Sequence, residues 1–141
     1  MKDKIQQIKD LIQKKGDLNK NLIQSLFRVC LKELTRNKID KFIGDFPSFL
    51  EPVHLEDNVK IEDDVLLGPK VFIGSNTSIG EFSELSNCIV LNDVSLGKAF
   101  KLENCIIAEG SQLNFEGQKL ENCIIRGSGK SLDEIELIKL D

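Results

Sequence analysis

From Leu55 onward the chain repeats every six residues. Leu55, Ile61, Leu67, Ile73, Ile79 and Leu85 are aliphatic at an unbroken spacing of six. Four residues after the first five of these stand Val59, Val65, Val71, Thr77 and Ser83, all β-branched or small. Gly68, Gly74 and Gly80 directly follow three of the aliphatic positions. Such a hexapeptide period marks a parallel β-helix, in which each repeat supplies one short face and stacked turns bury a shared core.

A longer period supports the first. LSNCIV (85–90), LENCII (102–107) and LENCII (120–125) recur at intervals of 17 and 18 residues, or three hexapeptides, and LGPKVF (67–72) precedes the first by 18. Three faces per turn make a triangular prism of four to five coils, about 20–25 Å tall at a ~4.8 Å strand spacing. The NC units are one residue short. Successive strand residues point to opposite sides, so Cys105 takes the small inward place, Ile106 points out and Ile107 resumes the aliphatic file. Each unit has thereby lost one corner residue. The inward file continues through Val90, Leu96, Leu102, Ile107, Leu113, Leu120 and Ile125, with Val94, Phe100 and Ser111 in the small places. The seven-residue step from Leu113 to Leu120 predicts a loop over 115–119, and IELIKL (135–140) a final strand.

Residues 1–50 read differently, and we divide the chain into a helical segment (1–50) and a β-helix (51–141). Ile5, Ile8, Leu11 and Ile12 recur at helical spacing, with Gly16 as a stop. Asn19 is placed to cap a second helix. In it Leu22, Leu26, Cys30 and Leu34 form one stripe and Ile23, Phe27 and Leu31 the adjoining one, a double stripe wide enough to bury on something larger than one helix. A short third helix is expected from Asn37, with Ile39, Phe42 and Ile43 inward and Gly44 ending it. Phe46, Pro47, Phe49, Leu50 and Pro52 then form an apolar connector packed on the first coil. The helices are expected either to cap one end of the prism, burying Phe46, Phe49 and Leu50, or to pack around a symmetry axis with copies of themselves.

The strings SNCIVLNDVSLG and LENCIIAEGSQL resemble the C-terminal left-handed β-helix of sugar-1-phosphate nucleotidyltransferases. The resemblance covers residues 55–125, about half the chain. The left hand is implied by the resemblance alone, since parallel crossovers are ordinarily right-handed. In those enzymes a Rossmann-like catalytic domain, with a Gly-rich loop and a metal-binding Asp, precedes the β-helix. Nothing in residues 1–50 resembles either, and specificity for the sugar resides in that domain.

Related hexapeptide proteins include zinc carbonic anhydrases and acyltransferases, which frames the search for chemistry. Three imidazoles around zinc are excluded by a single His. An acyltransferase uses a His base, and His54 is the sole candidate catalytic residue; its plain reading is a partly exposed residue at the junction of helices and prism. Cys88, Cys105 and Cys123 stack one per turn, so the outer two stand about 10 Å apart, too far to share a zinc at ~2.3 Å. They read as inert core thiols, and Cys30 as a helix-core residue. Asn87, Asn104 and Asn122 share a corner and are expected to form an amide ladder. Glu56, Asp57, Glu62, Asp63 and Asp64 make the first corners acidic, as solvated charge rather than a metal site. No metal and no cofactor is expected.

Net charge −4 and a sequence pI near 5.1 oppose a nucleic-acid partner, and Trp and Tyr are absent. No run approaches ~18 apolar residues and MKDKIQQIKD is no signal peptide, so no membrane partner and a cytoplasmic location are expected. The resemblance implies a non-catalytic scaffold that forms a homo-oligomer (dimer or trimer), or docks on and regulates a separate catalytic nucleotidyltransferase chain of sugar-nucleotide metabolism. The chain could equally be one half of a split gene. The alternative is a small acyl-CoA-dependent acyltransferase with His54 as base, working in clefts between subunits.

Overall fold

The computed structural model describes residues 1–45 and 47–140. The chain opens with α1 (Lys2–Ile12) and α2 (Lys20–Glu33). Asn19 caps α2 as expected, its side-chain oxygen accepting from the Leu22 amide at 3.2 Å. Short strands follow: β1 (Ser48–Phe49), β2 (Val53–Leu55), β3 (Lys60–Ile61), β4 (Leu66–Leu67), β5 (Val71–Ile73), β6 (Ser78–Ile79) and β7 (Glu84–Ser86). They continue as β8 (Cys88–Val90), β9 (Ser95–Leu96), β10 (Lys101–Ile107), β11 (Gln112–Leu113), β12 (Lys119–Arg126), β13 (Ser128–Gly129) and, after a 3₁₀ turn at Leu132–Glu134, β14 (Glu136–Lys139).

These strands wind a parallel β-helix of about five turns. Face 1 is built by β1, β4, β7 and the first halves of β10 and β12. Face 2 is built by β2, β5, β8 and the second halves of β10 and β12. Face 3 is β3, β6, β9, β11 and β13. Leu67, Leu85, Leu102 and Leu120 are register partners in one file, as are Leu55, Ile73, Val90, Ile107 and Ile125. The inward residues form one hydrophobic core. Its small places admit hydroxyls because the coil supplies carbonyls: Thr77 Oγ1 donates to Leu91 O at 3.2 Å and Ser111 Oγ to Ala108 O at 2.8 Å. Phe100 fills a small place fully buried, its ring edge-on to Phe115 at 5.4 Å, and residues 114–118 carry no strand.

The one-residue corners of the NC units are Asn87, Asn104 and Asn122, at φ 49°, 55° and 54°. This left-handed region is one that Asn tolerates better than most residues. At the Gly68 corner, where φ is 110°, a Cβ would run into the Leu50 carbonyl.

The expected third helix is absent. Lys38 bridges His54, Ile43 bridges Lys60, and β1 pairs with β4, so residues 38–45 and 47–49 belong to an irregular turn of the prism. Ile39, Phe42 and Phe49 pack on the core from below, with the Phe42 and Phe49 rings 5.4 Å apart. Leu50 is half exposed rather than buried, and Phe46 lies outside the described residues. The helix pattern misled because Ile39, Phe42 and Ile43 fall at helical spacing by chance, while Ile43 points to solvent.

The helices neither cap an end nor stand apart from the prism: they lie on face 2. Phe72, Ile89, Ile106 and Ile124, the outward residues at its centre, are buried in a second core with Ile8, Ile12, Ile23, Phe27, Cys30 and Leu31. Polar contacts anchor this layer at its edges. Glu33 pairs with Lys4 at 2.8 Å and with the terminal amine at 3.1 Å, and Lys9 reaches Glu109 at 3.0 Å. Arg126 Nη1 donates to Ile12 O at 2.7 Å. At the far end β14 pairs antiparallel with β12, Ile124 opposite Ile138 and Ile125 opposite Leu137. The expected final strand is therefore present, running against the coil.

Candidate functional site

His54 is the middle residue of β2 and heads the outward file of face 2, with Phe72 as its register partner. Its ring stacks on Phe72 (centroids 4.8 Å apart, 25° between planes) and it is only 8% exposed, so the expected partial exposure is corrected. His54 Nε2 lies 3.2 Å from Glu56 Oε2, and Lys38 Nζ stands 3.9 Å from the same oxygen. A general base needs a free nitrogen within hydrogen-bond reach of an incoming hydroxyl or amine. Here Nε2 lies against a carboxylate, which orients the ring, while the ring itself is stacked on Phe72 and almost wholly covered.

The three coil cysteines stack on the inner side. Cys88 Sγ donates to Ser86 O at 3.1 Å, and the Cys105 and Cys123 sulfurs are 3.7 Å apart. At Cys105 the Cys123 hydrogen bond pulls the thiol down, but the Cys88 hydrogen bond and burial outweigh it, leaving it pushed up to about 12. The hydrogen bond to Cys105 and burial push the Cys123 thiol far above its ordinary value. Burial pushes Cys30 up to about 11. A thiolate is the nucleophile and metal ligand, so these sulfurs are chemically quiet. Among the described residues no three His, Cys, Asp or Glu side chains gather closely enough to hold an ion.

The Asn file differs from expectation. No hydrogen bond joins the Asn87, Asn104 and Asn122 side chains among the described residues; the amide contact forms at another corner, where Asn58 Nδ2 donates to Asn76 Oδ1 at 3.1 Å. Asn104 and Asn122 instead line a groove of about 240 Å³ against Gln24 and Arg28 of α2.

Two surfaces were missed in reading the sequence. One is the helix-binding strip of face 2, whose signal was available: Phe72, Ile89, Ile106 and Ile124 are apolar where an outward strand residue is ordinarily polar. The other is face 1, an open groove of about 380 Å³ lined by Glu84, Ser86, Lys101, Glu103 and Lys119 around the leucine file. Its charged side chains are spread along the groove, with Lys101 paired to Glu84 and Lys119 to Glu121.

Three files of aliphatic residues inside a three-sided parallel coil define a hexapeptide-repeat β-helix protein. Within that class, the family model described as the GMPPB C-terminal domain matches residues 49–137, and the chain belongs to that family. Among solved structures, a hexapeptide-repeat-containing acetyltransferase from Vibrio cholerae O1 biovar eltor, complexed with acetyl coenzyme A, is 13% identical with a TM-score of 0.45. The alignment covers 97% of this chain and 85% of that one. A second structure of a hexapeptide-repeat-containing acetyltransferase from Vibrio cholerae is 14% identical with a TM-score of 0.33, over 99% and 90% of the two chains. Comparison with curated proteins gives no match. Among the described residues no helix is long and apolar enough to cross a membrane.

Proposed function

We propose that the protein is a non-catalytic β-helix scaffold of sugar-nucleotide metabolism, which self-associates or docks on and regulates a catalytic nucleotidyltransferase chain. The observation that carries this is the match of residues 49–137 to a nucleotidyltransferase C-terminal family, on a coil whose reactive groups are either buried or dispersed. Cytoplasm is the compartment this role requires, and four free, buried cysteines suit a reducing one. The acyltransferase alternative depends on His54, whose burial against Phe72 counts against it.

The test is solution mass of the purified chain together with capture of a nucleotidyltransferase chain from its own cell extract. A self-associated species, or specific retention of that enzyme, is the expected result; a monomer that retains no such enzyme overturns the proposal. In parallel, acetyl coenzyme A is expected to leave the melting temperature of both the native chain and His54→Ala unchanged. An acetyl-CoA-dependent acetylation lost in His54→Ala would establish the transferase reading instead.

A further inference from the structure

Face 2 is covered by the helices, and outward on the strands of face 3 stand Lys60, Ser78, Ser95, Gln112 and Ser128, which leaves face 1 as the bare side with the most charge. Because strand residues alternate, those flanking the inward leucines point out in two files. Ahead of the leucines run Leu66, Glu84, Lys101 and Lys119; behind them run Gly68, Ser86, Glu103 and Glu121. Within the chain this layout is unfavourable at two places. Lys101 is the register partner of Lys119 and Glu103 of Glu121, and like charges directly opposite each other destabilise a sheet. Lys101 leans to Glu84 at 3.3 Å and Lys119 to Glu121 at 3.0 Å, but Glu103 makes no ion pair among the described residues.

We infer that face 1 is a self-complementary interface with a second copy of this chain, the two prisms standing side by side about a two-fold axis parallel to the coil. The inference rests on the assembly reading above and names its contact surface. Such an axis keeps every residue at its own height and exchanges left for right, so each outward file meets the other file of the partner. At the levels of β7, β10 and β12 the chemistries match: Glu84 accepts from the Ser86 hydroxyl, Lys101 meets Glu103, and Lys119 meets Glu121, each contact made twice. A two-fold axis perpendicular to the coil, centred on the face, would pair Glu84 with Lys101 and Ser86 with Glu103 but set Lys119 on Leu66 and Glu121 on Gly68, which leaves the outer charges without partners across the interface.

Four strands at ~4.8 Å spacing make a face roughly 15–20 Å on a side, about 300–400 Å² per copy. That is half of the ~800 Å² per partner of a standard stable interface, so the dimer is weak and, with ion pairs at its centre, salt-dependent. Sedimentation equilibrium of the full chain is the test, in low salt and near 1 M salt. The native chain is expected to dimerise in low salt and to dissociate in high salt. Lys101→Glu and Glu103→Lys should each weaken the dimer at least tenfold, because each sets like charges face to face. Mixing the two variants should restore a heterodimer of near-native affinity, since the all-acid pair of one then meets the all-base pair of the other. Circular dichroism checks that both variants fold, and Ser86→Trp, an outward bulk, is a second blocking variant. A native dimer indifferent to all three variants overturns this interface and leaves the assembly reading standing. A trimer overturns it likewise, and so does a monomer in low salt, in which case the assembly reading is decided by the captured nucleotidyltransferase.

Discussion

Cys105 occupies one of the small inward places of the coil, with its sulfur aimed at the Glu103 and Leu120 carbonyls at 3.4 and 3.5 Å. Corresponding places on the other two faces are taken by Thr77 and Ser83, where hydroxyls also meet carbonyls. The slot therefore takes a small or β-branched side chain and tolerates a weak donor, since Val71, the register partner of Cys88, fills it as well. What the sequence did not show is the pairing of Cys105 and Cys123, since their separation depends on rotamers. The raised thiol values have a consequence for stability. An unfolded thiol ionises near ~8.5 whereas these stay protonated in the fold, so the unfolded state loses protons first as pH rises. Their contribution is fully present below about 8.5 and is lost from there towards the folded value of about 12 for Cys105. Urea midpoints should hold to pH 8 and then fall, with each thiol approaching a slope of about 1.4 kcal/mol per pH unit. In Cys105→Ser/Cys123→Ser the decline should be shallower at unchanged fold. A parallel decline in both proteins would place the titrating groups elsewhere.

At the scale of elements, α1 and α2 are amphipathic helices made stable by the strip they cover. The double stripe on α2 was legible as a face needing a broad partner, and Ile23, Phe27, Cys30 and Leu31 are indeed buried. Which partner it was depended on face 2, where apolar outward residues recur at 17- and 18-residue intervals and so escape any short window. One side chain connects three elements. Arg126, at the end of β12, donates to the last carbonyl of α1 at 2.7 Å and pairs with Glu136 of β14 at 3.1 Å. The carbonyl bond satisfies one of the orphan acceptors at the helix C-terminus, and the positive charge suits that end. Arg126→Ala is expected to cost about 1–3 kcal/mol, the range for losing a charged hydrogen bond. Hydrogen exchange should quicken together in the last turn of α1 and in β14 while β3, β6 and β9 stay protected. Equal quickening across all strands would mean that Arg126 supports the whole fold rather than this junction.

For the whole molecule, the six-residue period sufficed to place nearly every inward side chain, because stacking forces identical heights on residues three hexapeptides apart. The period failed where stacking ends. Residues 38–45 and 47–49 belong to a turn without repeats, since an end turn has only one neighbour and its packing with Ile39, Phe42 and Phe49 is irregular. The surface of face 1 was also hidden, as its two charged files emerge only when the turns are aligned. The opposite end has its own solution. A parallel coil leaves a row of unpaired backbone groups on its last strand, which natural proteins protect. Here β14 reverses direction and pairs Ile124 and Ile125, while Leu140 drops into the helix-side core. Repeat arrays need such end pieces to stay dispersed, because each internal turn is built to receive another turn. Deleting residues 131–141 should therefore expose the β12 edge and part of the second core. The expected outcome is concentration-dependent association into species larger than those of the full chain, visible by light scattering and insensitive to high salt. That insensitivity separates it from contact through the charged face. A truncated chain as dispersed as the full one would show that the coil end is protected by β12 itself and not by β14.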